Sequence, residues 1–142
     1  MTVFGLGAPA YLYLGVDDIA RARDFYERAL GAEFVWHFRR FGTEVAAVRV
    51  SADGPLVLLA EHRPVPSCLP IWTVGDLDVA VARLAAAGFA ERGETAGTPD
   101  GPVHVVRDPD GNELGLLQQD VPNALVARYA DPTNDAAVRP SP

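Results

Sequence analysis

Three histidines, His37, His62 and His104, are the side chains that could in principle bind a metal ion or move a proton near neutral pH. Their spacing matches no compact metal-ligand motif, so we expect them to be partly exposed and not catalytic. The single cysteine, Cys68, cannot form an internal disulfide and adds no cysteine pair to a metal site. These residues therefore indicate no metal cluster.

Aromatic side chains offer a different chemistry, the stacking of flat rings. Tyr11 and Tyr13 alternate along one predicted strand, so they share a face. Trp36 and Phe38 share a face of another strand, and His37 takes the opposite face. These surfaces suit an aromatic ligand, but core packing explains the same residues, and packing at a subunit interface is a further alternative for Trp36 and Phe38.

The element that organises the chain is a predicted β-hairpin over Val103–Gln118. Two apolar runs flank the turn sequence Asp108-Pro109-Asp110-Gly111-Asn112, in which proline presets one backbone angle and glycine can take a positive φ. A similar arrangement lies upstream, where apolar runs flank Ser51–Pro55. The same two-strand unit therefore occurs twice, and Gly54 of the first copy is equivalent to Gly111 of the second.

The repeat extends over most of the chain. Val16–Ile19 and Val74–Leu77 each open a helical pattern, and Gly31 and Gly88 end those patterns at nearly the same offset as that between the two turn glycines. This near-constant offset predicts a duplicated unit of one strand, one helix and three strands. We expect an α+β fold of two tandem βαβββ modules, at about residues 10–61 and 68–119, within a single domain over residues 1–130. Residues 131–142 are predicted to form a flexible tail.

Apolar periodicity and turn residues set the predicted bounds. In the first module we expect an irregular lead-in over Met1–Ala10, a helix over Ile19–Leu30 capped by Asp17 or Asp18, and strands at Tyr11–Val16, Phe34–Phe38, Glu44–Val50 and Leu56–Ala60. A linker over Glu61–Leu69 leads to the second module, whose expected elements are strands at Leu69–Val74, Val103–Arg107 and Leu114–Gln118, a helix near Leu77–Ala87, and a loop with at most a short edge strand between Arg92 and Gly101. Pro122–Tyr129 is expected to form a short helix.

Composition excludes several classes of function. The chain has 142 residues and a net charge of −7 without a basic run, which argues against a nucleic-acid partner. No apolar stretch reaches membrane-spanning length, and no signal peptide is recognisable. We therefore predict a cytoplasmic protein that contacts neither nucleic acid nor membrane.

The stretches VDDIARARDFYERALG and DPDGNELGLLQ, together with the duplicated unit, resemble the vicinal oxygen chelate superfamily. Its members include glyoxalase I, extradiol dioxygenases, fosfomycin-resistance enzymes and bleomycin-resistance proteins. The resemblance covers roughly Tyr11 to Gln118. It implies that the curved mixed sheets of the two modules form a cup and that the protein is a homodimer.

Metal enzymes of this superfamily take ligands from the first and last strand of each module. The resemblance assigns those four positions to Tyr11, Leu58, Leu69 and Gly115. Leucine and glycine offer no donor, and a lone tyrosine is a poor substitute for histidine or a carboxylate. The resemblance is therefore closest to the bleomycin-resistance branch, which binds a drug without a metal, and Gly115 is expected to leave room where a carboxylate would stand. Glu61 and Glu113 lie beside these positions, so a one-residue slip in register is the alternative that would restore a metal ligand.

We thus predict a non-catalytic protein that sequesters an aromatic or polycyclic natural product, such as an antibiotic, in a cleft of a homodimer, without metal or other cofactor. The alternatives are a lyase, isomerase or dioxygenase of the same superfamily with a displaced or absent metal site, using Glu61, Glu113, His37 or His104, or an accessory protein that holds a biosynthetic intermediate. The candidate ligand-binding residues are Tyr11, Tyr13, Trp36, Phe38, Leu58, Leu69, Ile71, His104 and Gly115.

Overall fold

The computed structural model describes residues 6–40, 42–89 and 94–140. Within these ranges the chain forms eight strands and three α-helices, in the order βαβββ, βαβββ and a final helix. The predicted α+β class and the duplicated module are therefore confirmed. The described residues divide into two compact units: the first contains Tyr11–Cys68 and residues 125–140, and the second contains residues 6–10 together with Leu69–Ala124. No helix in the described ranges is long and apolar enough to cross a membrane.

In the first unit, the strands follow the order β2-β3-β4-β1. β1 and β4 are parallel, and the other neighbours are antiparallel. The elements are β1 (Leu6–Gly15, whose first half belongs to the second unit), α1 (Ile19–Arg23), a π-helical continuation of α1 (Asp24–Ala29), β2 (Glu33–Arg40), β3 (Thr43–Arg49) and β4 (Leu56–Ala60).

In the second unit, the order is β5-β8-β7-β6, with β5 and β8 parallel and the other pairs antiparallel. The elements are β5 (Ser67–Val74), α2 (Leu77–Ala86), β6 (Glu94–Thr98), β7 (Gly101–Arg107) and β8 (Glu113–Leu117), and α3 (Ala124–Ala130) follows them. One bound differs notably from the predicted ones, because β1 begins at Leu6, within the expected lead-in. The short edge strand allowed between Arg92 and Gly101 forms as β6.

The first helix of each module is capped by an aspartate, for the same electrostatic reason. A carboxylate at the N-cap accepts a hydrogen bond from a backbone N–H that has no partner inside the helix. Asp18 accepts from the Arg21 N–H at 3.1 Å, and Asp76 accepts from the Val79 N–H at 3.1 Å. Of the two caps predicted for α1, Asp18 is the one that forms this bond.

The first helix continues from α1 into a π-helical segment, whose turns are wider than those of an α-helix. Phe25 and Leu30 are 53% and 52% exposed, although apolar residues recur at helical spacing over Ile19–Leu30. Tyr26 packs against the core of the first unit.

The apolar core of each unit lies between its helix and its sheet. In the first unit the packed residues are Leu12, Leu14, Val16, Ala22, Tyr26, Ala32, Val48, Val57 and Leu59. In the second they are Leu6, Trp72, Val74, Leu77, Ala80, Val81, Leu84, Leu114 and Leu116. As strand alternation requires, Leu12 and Leu14 lie on the opposite face from Tyr11 and Tyr13, and Trp72 lies on the opposite face from Ile71.

The chain after α3 lies along the free edge of β2. The Arg39 N–H donates to the carbonyl of Ala136 at 2.8 Å, and the Val138 N–H donates to the carbonyl of His37 at 2.8 Å. The Tyr129 hydroxyl donates to the Val138 carbonyl at 2.8 Å. The tail predicted to be flexible is thus hydrogen-bonded over part of its described length, and its mobility stays a prediction.

Candidate functional site

Five of the candidate residues lie on one face of the first unit's sheet. The register places Tyr13 opposite Leu58, Leu58 opposite Ala47, and Ala47 opposite Trp36, so these four residues form one row across β1, β4, β3 and β2. The neighbouring residues of these strands pack against α1, so this row faces away from the helix. We call Tyr11, Tyr13, Trp36, Phe38 and Leu58 the aromatic face.

The aromatic face is well packed at its β2 end. Trp36 is only 2% exposed, and its ring centroid lies 5.4 Å from that of Phe38. The Phe38 ring in turn meets Tyr129 of α3 edge-on at 5.6 Å. Packing within the chain therefore explains the contacts of Trp36 and Phe38 on β2. At the β1 end of the aromatic face, Tyr13 is half-buried.

Three further candidates lie on one face of the second unit's sheet. Ile71 pairs with Gly115, and Leu69, two residues earlier on β5, shares its face. All three are buried. A Cβ built on Gly115 would lie 3.0 Å from Ile71 Cγ1 and 3.4 Å from Val103 Cγ2. The room expected beside Gly115 is therefore partly taken by these two side chains.

His104 lies on the opposite face of that sheet. It pairs with Leu116, which belongs to the core beneath α2, whereas Val105 pairs with Gly115. Its Nδ1 is 2.6 Å from the Thr95 hydroxyl, and its side chain is buried. Strand alternation separates His104 from Ile71 and Gly115, so the structure does not group it with the other candidate residues.

His37 is also buried and lies on the α1 side, contrary to the expectation of a partly exposed residue. Its Nε2 is 2.6 Å from Glu44 Oε1, and its Nδ1 is 3.3 Å from Arg23 Nη1. The two contacts together suit a neutral ring that donates through Nε2 and accepts at Nδ1. Burial lowers the pKa of His37, and the hydrogen bond to Glu44 opposes this effect. This histidine ties α1 to β2 and β3.

A polar cluster that the sequence did not reveal stands at the β1 end of the aromatic face. The Tyr13 hydroxyl is 2.9 Å from His62 Nε2, and the Arg63 guanidinium carbon lies 5.2 Å from the centre of the Tyr13 ring. Burial raises the pKa of Tyr13, and the charge of Arg63 opposes it. Burial and, secondly, Arg63 lower the pKa of His62. Both groups are therefore held neutral near pH 7.

The linker after β4 brings His62 and Arg63 to Tyr13. The carbonyl of Pro64 approaches Gly15 so closely that a Cβ there would overlap it, and the Ser67 hydroxyl donates to the same carbonyl at 2.5 Å. A glycine in a strand often marks such an approach by another backbone. Gly15 and the prolines of the linker were the sequence signals that could have located this crossing, but they do not identify Tyr13 as its partner.

Both carboxylates beside the four assigned positions are engaged in contacts within the chain. Glu61 Oε2 accepts from the Ile19 N–H at 2.9 Å, at the start of α1, and Glu113 Oε2 is 3.1 Å from Arg107 Nη2. Over the described ranges, no group of three or more His, Cys, Asp or Glu side chains is arranged to hold a metal ion. The residues at the four positions do not fit a metal either, because Leu58, Leu69 and Gly115 carry no donor.

Comparisons with known proteins identify the fold and the family. The model of the Glyoxalase/Bleomycin resistance protein/Dioxygenase superfamily matches residues 8–116. Methylmalonyl-CoA epimerase from Mycobacterium tuberculosis superposes with a TM-score of 0.70 at 18% identity, over 88% of this chain and 96% of that one. Homoprotocatechuate 2,3-dioxygenase from Arthrobacter globiformis gives 0.63 at 21% identity, over 88% of this chain and 40% of that one.

A glyoxalase/bleomycin resistance protein/dioxygenase superfamily member from Vibrio splendidus gives a TM-score of 0.55 at 23% identity, over 77% of this chain and 96% of that one. These identities support a common fold and do not transfer an activity. No protein of curated function matches the sequence.

Proposed function

The chain belongs to the glyoxalase/bleomycin resistance protein/dioxygenase superfamily, and from this premise we propose that it binds an aromatic or polycyclic small molecule without transforming it. The ligand would be a natural product such as an antibiotic, sequestered by a homodimer. The observation that carries the proposal is the chemistry of the four positions that the resemblance assigns to metal ligands. They hold Tyr11, Leu58, Leu69 and Gly115, which suit an apolar and aromatic lining better than a metal centre.

The aromatic face supports this proposal physically. A flat ligand gains affinity by burying apolar area and by offset or edge-to-face contact with aromatic rings. Tyr11 and Tyr13 lie on the same face, with Leu58 beside Tyr13 on the neighbouring strand. Tyr13 remains half-buried, so part of this surface is accessible.

The two tryptophans provide a matched test. Trp36 belongs to the aromatic face, whereas Trp72 packs beneath α2 on the other side of its sheet. Aromatic natural products should quench tryptophan fluorescence in the wild type and in Trp72→Phe, but much less in Trp36→Phe. Quenching that disappears only with Trp72→Phe would contradict binding at the aromatic face.

Metal analysis discriminates between the binding protein and a metal-dependent lyase, isomerase or dioxygenase. Protein purified without chelators should contain well below one equivalent of Zn, Ni, Mn or Fe. A stoichiometric metal that Glu61→Gln or Glu113→Gln removes would favour the enzyme with a displaced metal site and overturn the proposal.

A second candidate function, a metal-independent isomerase, is favoured by one observation. The Tyr13 hydroxyl and His62 Nε2 are 2.9 Å apart, so a group able to act as an acid and one able to act as a base stand side by side. One structure of similar fold is a methylmalonyl-CoA epimerase, so methylmalonyl-CoA is a reasonable first substrate to try. Incubation in D₂O should leave its mass unchanged if the protein only binds ligands. Catalysed deuterium uptake that Tyr13→Phe abolishes would establish the isomerase.

The homodimer is part of the proposal and has its own measurement. Phe25 of the π-helical segment and Leu30, directly after it, are large exposed apolar side chains, and a subunit contact would cover such surface. We expect sedimentation at micromolar concentration to give the mass of a dimer. A monomer under those conditions would require the binding site to be complete in one chain.

A further inference from the structure

Tyr13, His62 and Arg63 bring three hydrogen-bond donors of different kinds to one end of the aromatic face. A phenol, an imidazole and a guanidinium can each donate to an anionic oxygen. The Tyr13 hydroxyl and His62 Nε2 are already 2.9 Å apart, and Arg63 stands over the Tyr13 ring. Stacking of a neutral ring needs none of these polar groups, so the cluster is unexplained by ring binding alone.

The backbone of the linker brings His62 and Arg63 to Tyr13. The linker crosses the end of β1 where Gly15 lacks a side chain, and Ser67 bonds to the Pro64 carbonyl at that crossing. His62 and Arg63 directly precede Pro64. A linker backbone fixed in this way loses less conformational entropy when a ligand binds beside it.

The local charge favours an anion although the whole chain is acidic, with a net charge of −7. The positive charge of Arg63 acts on both Tyr13 and His62, because it lowers the pKa of each. The adjacent acidic residue, Glu61, is turned to the start of α1, where it accepts from the Ile19 N–H. An incoming carboxylate would therefore meet a guanidinium and two neutral donors.

We propose that Tyr13, His62 and Arg63 bind the carboxylate of an aromatic acid whose ring lies on the aromatic face. This inference rests on the proposed function and adds to it the chemical class of the ligand. The carboxylate accepts from the Tyr13 hydroxyl and His62 Nε2–H in place of their mutual hydrogen bond. Bonds to an ionised acceptor are stronger than the neutral bond they replace, and Arg63 adds its charge.

The test compares acids with neutral molecules of nearly the same shape. The probes are benzoate, 2-naphthoate and 9-anthracenecarboxylate, each paired with its amide and titrated calorimetrically at pH 7. In the wild type we expect the acid that fits best to bind about tenfold more tightly than its amide, as for one charge-assisted contact. Because both members of a pair share their rings, this ratio reports on the carboxylate alone.

Substitutions of Tyr13, His62 and Arg63 test whether this cluster causes the preference for the acid over its amide. Arg63→Gln, His62→Gln and Tyr13→Phe should each lower the acid-to-amide ratio and change amide binding by less than about twofold, since Tyr13→Phe keeps the ring. Arg63→Lys, which keeps the charge, should retain part of the ratio. The matched control is Arg28→Gln, which removes an arginine whose partner, Asp24, lies elsewhere on the surface, and it should leave the ratio unchanged.

The outcomes separate this inference from the proposed function. Equal affinity for an acid and its amide in the wild type overturns the inference and leaves an aromatic binding protein standing. A preference for the acid that survives all three cluster variants also overturns it. Failure of all six probes to bind would count against the proposed function as well as against the carboxylate site. The wild-type comparison needs no variant, so it stands even if a substitution prevents folding.

Discussion

The two βαβββ modules agree closely where their helices meet their sheets and differ on the opposite faces. Asp18 and Asp76, which are equivalent positions of the repeat, cap α1 and α2 with the same hydrogen bond. On the opposite faces, Tyr11 and Tyr13 of the first module correspond at the same offset to Leu69 and Ile71 of the second. One copy is therefore aromatic where the other is aliphatic.

A second hydrogen bond at the start of the helix is also common to the two modules. Glu61 follows β4 and accepts from the first N–H of α1, and Gln118 follows β8 and accepts from the first N–H of α2, at 2.9 and 2.8 Å. The two residues are again equivalent in the repeat. Each helix start is thus bonded both to the preceding residue and to the end of its module's last strand. These positions are constrained in both modules because they dock the helix onto the sheet. The sheet faces on the other side from the helix do not have this role, so their side chains can differ between the modules.

The largest effect is expected in the shared core. Leu59 and its equivalent in the second module, Leu116, are fully or almost fully buried beneath α1 and α2. Leu59→Ala and Leu116→Ala should each lower the free energy of unfolding by about 2–5 kcal/mol, because each leaves a cavity. Urea denaturation measures both. A loss in only one variant would show that the two helix–sheet interfaces are not equivalent in energy.

The next largest effect is expected on the sheet faces that lie away from the helices. There Gly115 of the second module corresponds to Leu58 of the first. Gly115→Glu should cost about 1–3 kcal/mol of stability, because Ile71 Cγ1 lies 3.0 Å from the new Cβ and must move. It should also weaken ligand binding, since it brings a carboxylate into an apolar lining. Gly115→Ala is the steric control. Unchanged affinity in a folded Gly115→Glu protein removes Gly115 from the site.

A smaller and symmetric effect is expected at the helix caps. Asp18→Ala and Asp76→Ala should each reduce stability by about 0.5–2 kcal/mol, because one N–H at each helix start loses its acceptor. The replacements Asp18→Asn and Asp76→Asn keep an acceptor oxygen and should restore most of the loss. Chemical denaturation of the four variants compares the modules directly, and unequal losses would mean that the second acceptor, Glu61 or Gln118, compensates in one of them.

The smallest effect concerns His37, which contacts Glu44 and Arg23 in the first module. The pKa of His37 is lowered by burial in the folded state, so the unfolded chain binds the proton more readily. Stability is therefore retained above the unfolded pKa of about 6.5 and declines as the pH falls through the folded pKa. His37→Gln should flatten the dependence of unfolding free energy on pH below about 6.5. An equally steep decline in that variant would assign the dependence to other groups.

The sequence predicted the bounds of strands, helix ends and turns well where they depend on residues that are close together in the chain. β4 has the predicted bounds, Leu56–Ala60, because an unbroken apolar run ends at charged and proline-containing sequence. Gly31, Gly88 and Gly111 take positive φ, as helix ends and a tight turn require. The π-helical turn escaped prediction, since apolar spacing in the sequence carries no mark of a one-residue change in hydrogen bonding.

The candidate site was predicted less completely, because its residues depend on pairing between distant segments. Alternation correctly placed Tyr11 with Tyr13 and Trp36 with Phe38. It could not show that His104 pairs with Leu116 on the helix side, because that requires the register of β7 against β8. Nor could it join Tyr13 to His62, which lies far along the chain in the linker after β4.

By itself, the sequence determined the duplicated βαβββ plan, the two candidates for the α1 cap and the side-chain types at the four positions that the resemblance assigns to ligands, three of which carry no metal donor. Apolar periodicity, turn residues and side-chain types are properties of short segments, so they can be recognised in the sequence without coordinates. Only the tertiary structure decided the positions of Glu61, His37 and the Tyr13–His62–Arg63 cluster. Glu61 was a possible metal ligand by sequence and is a helix cap in the fold, since the parallel pairing of β1 and β4 brings the end of β4 to the start of α1.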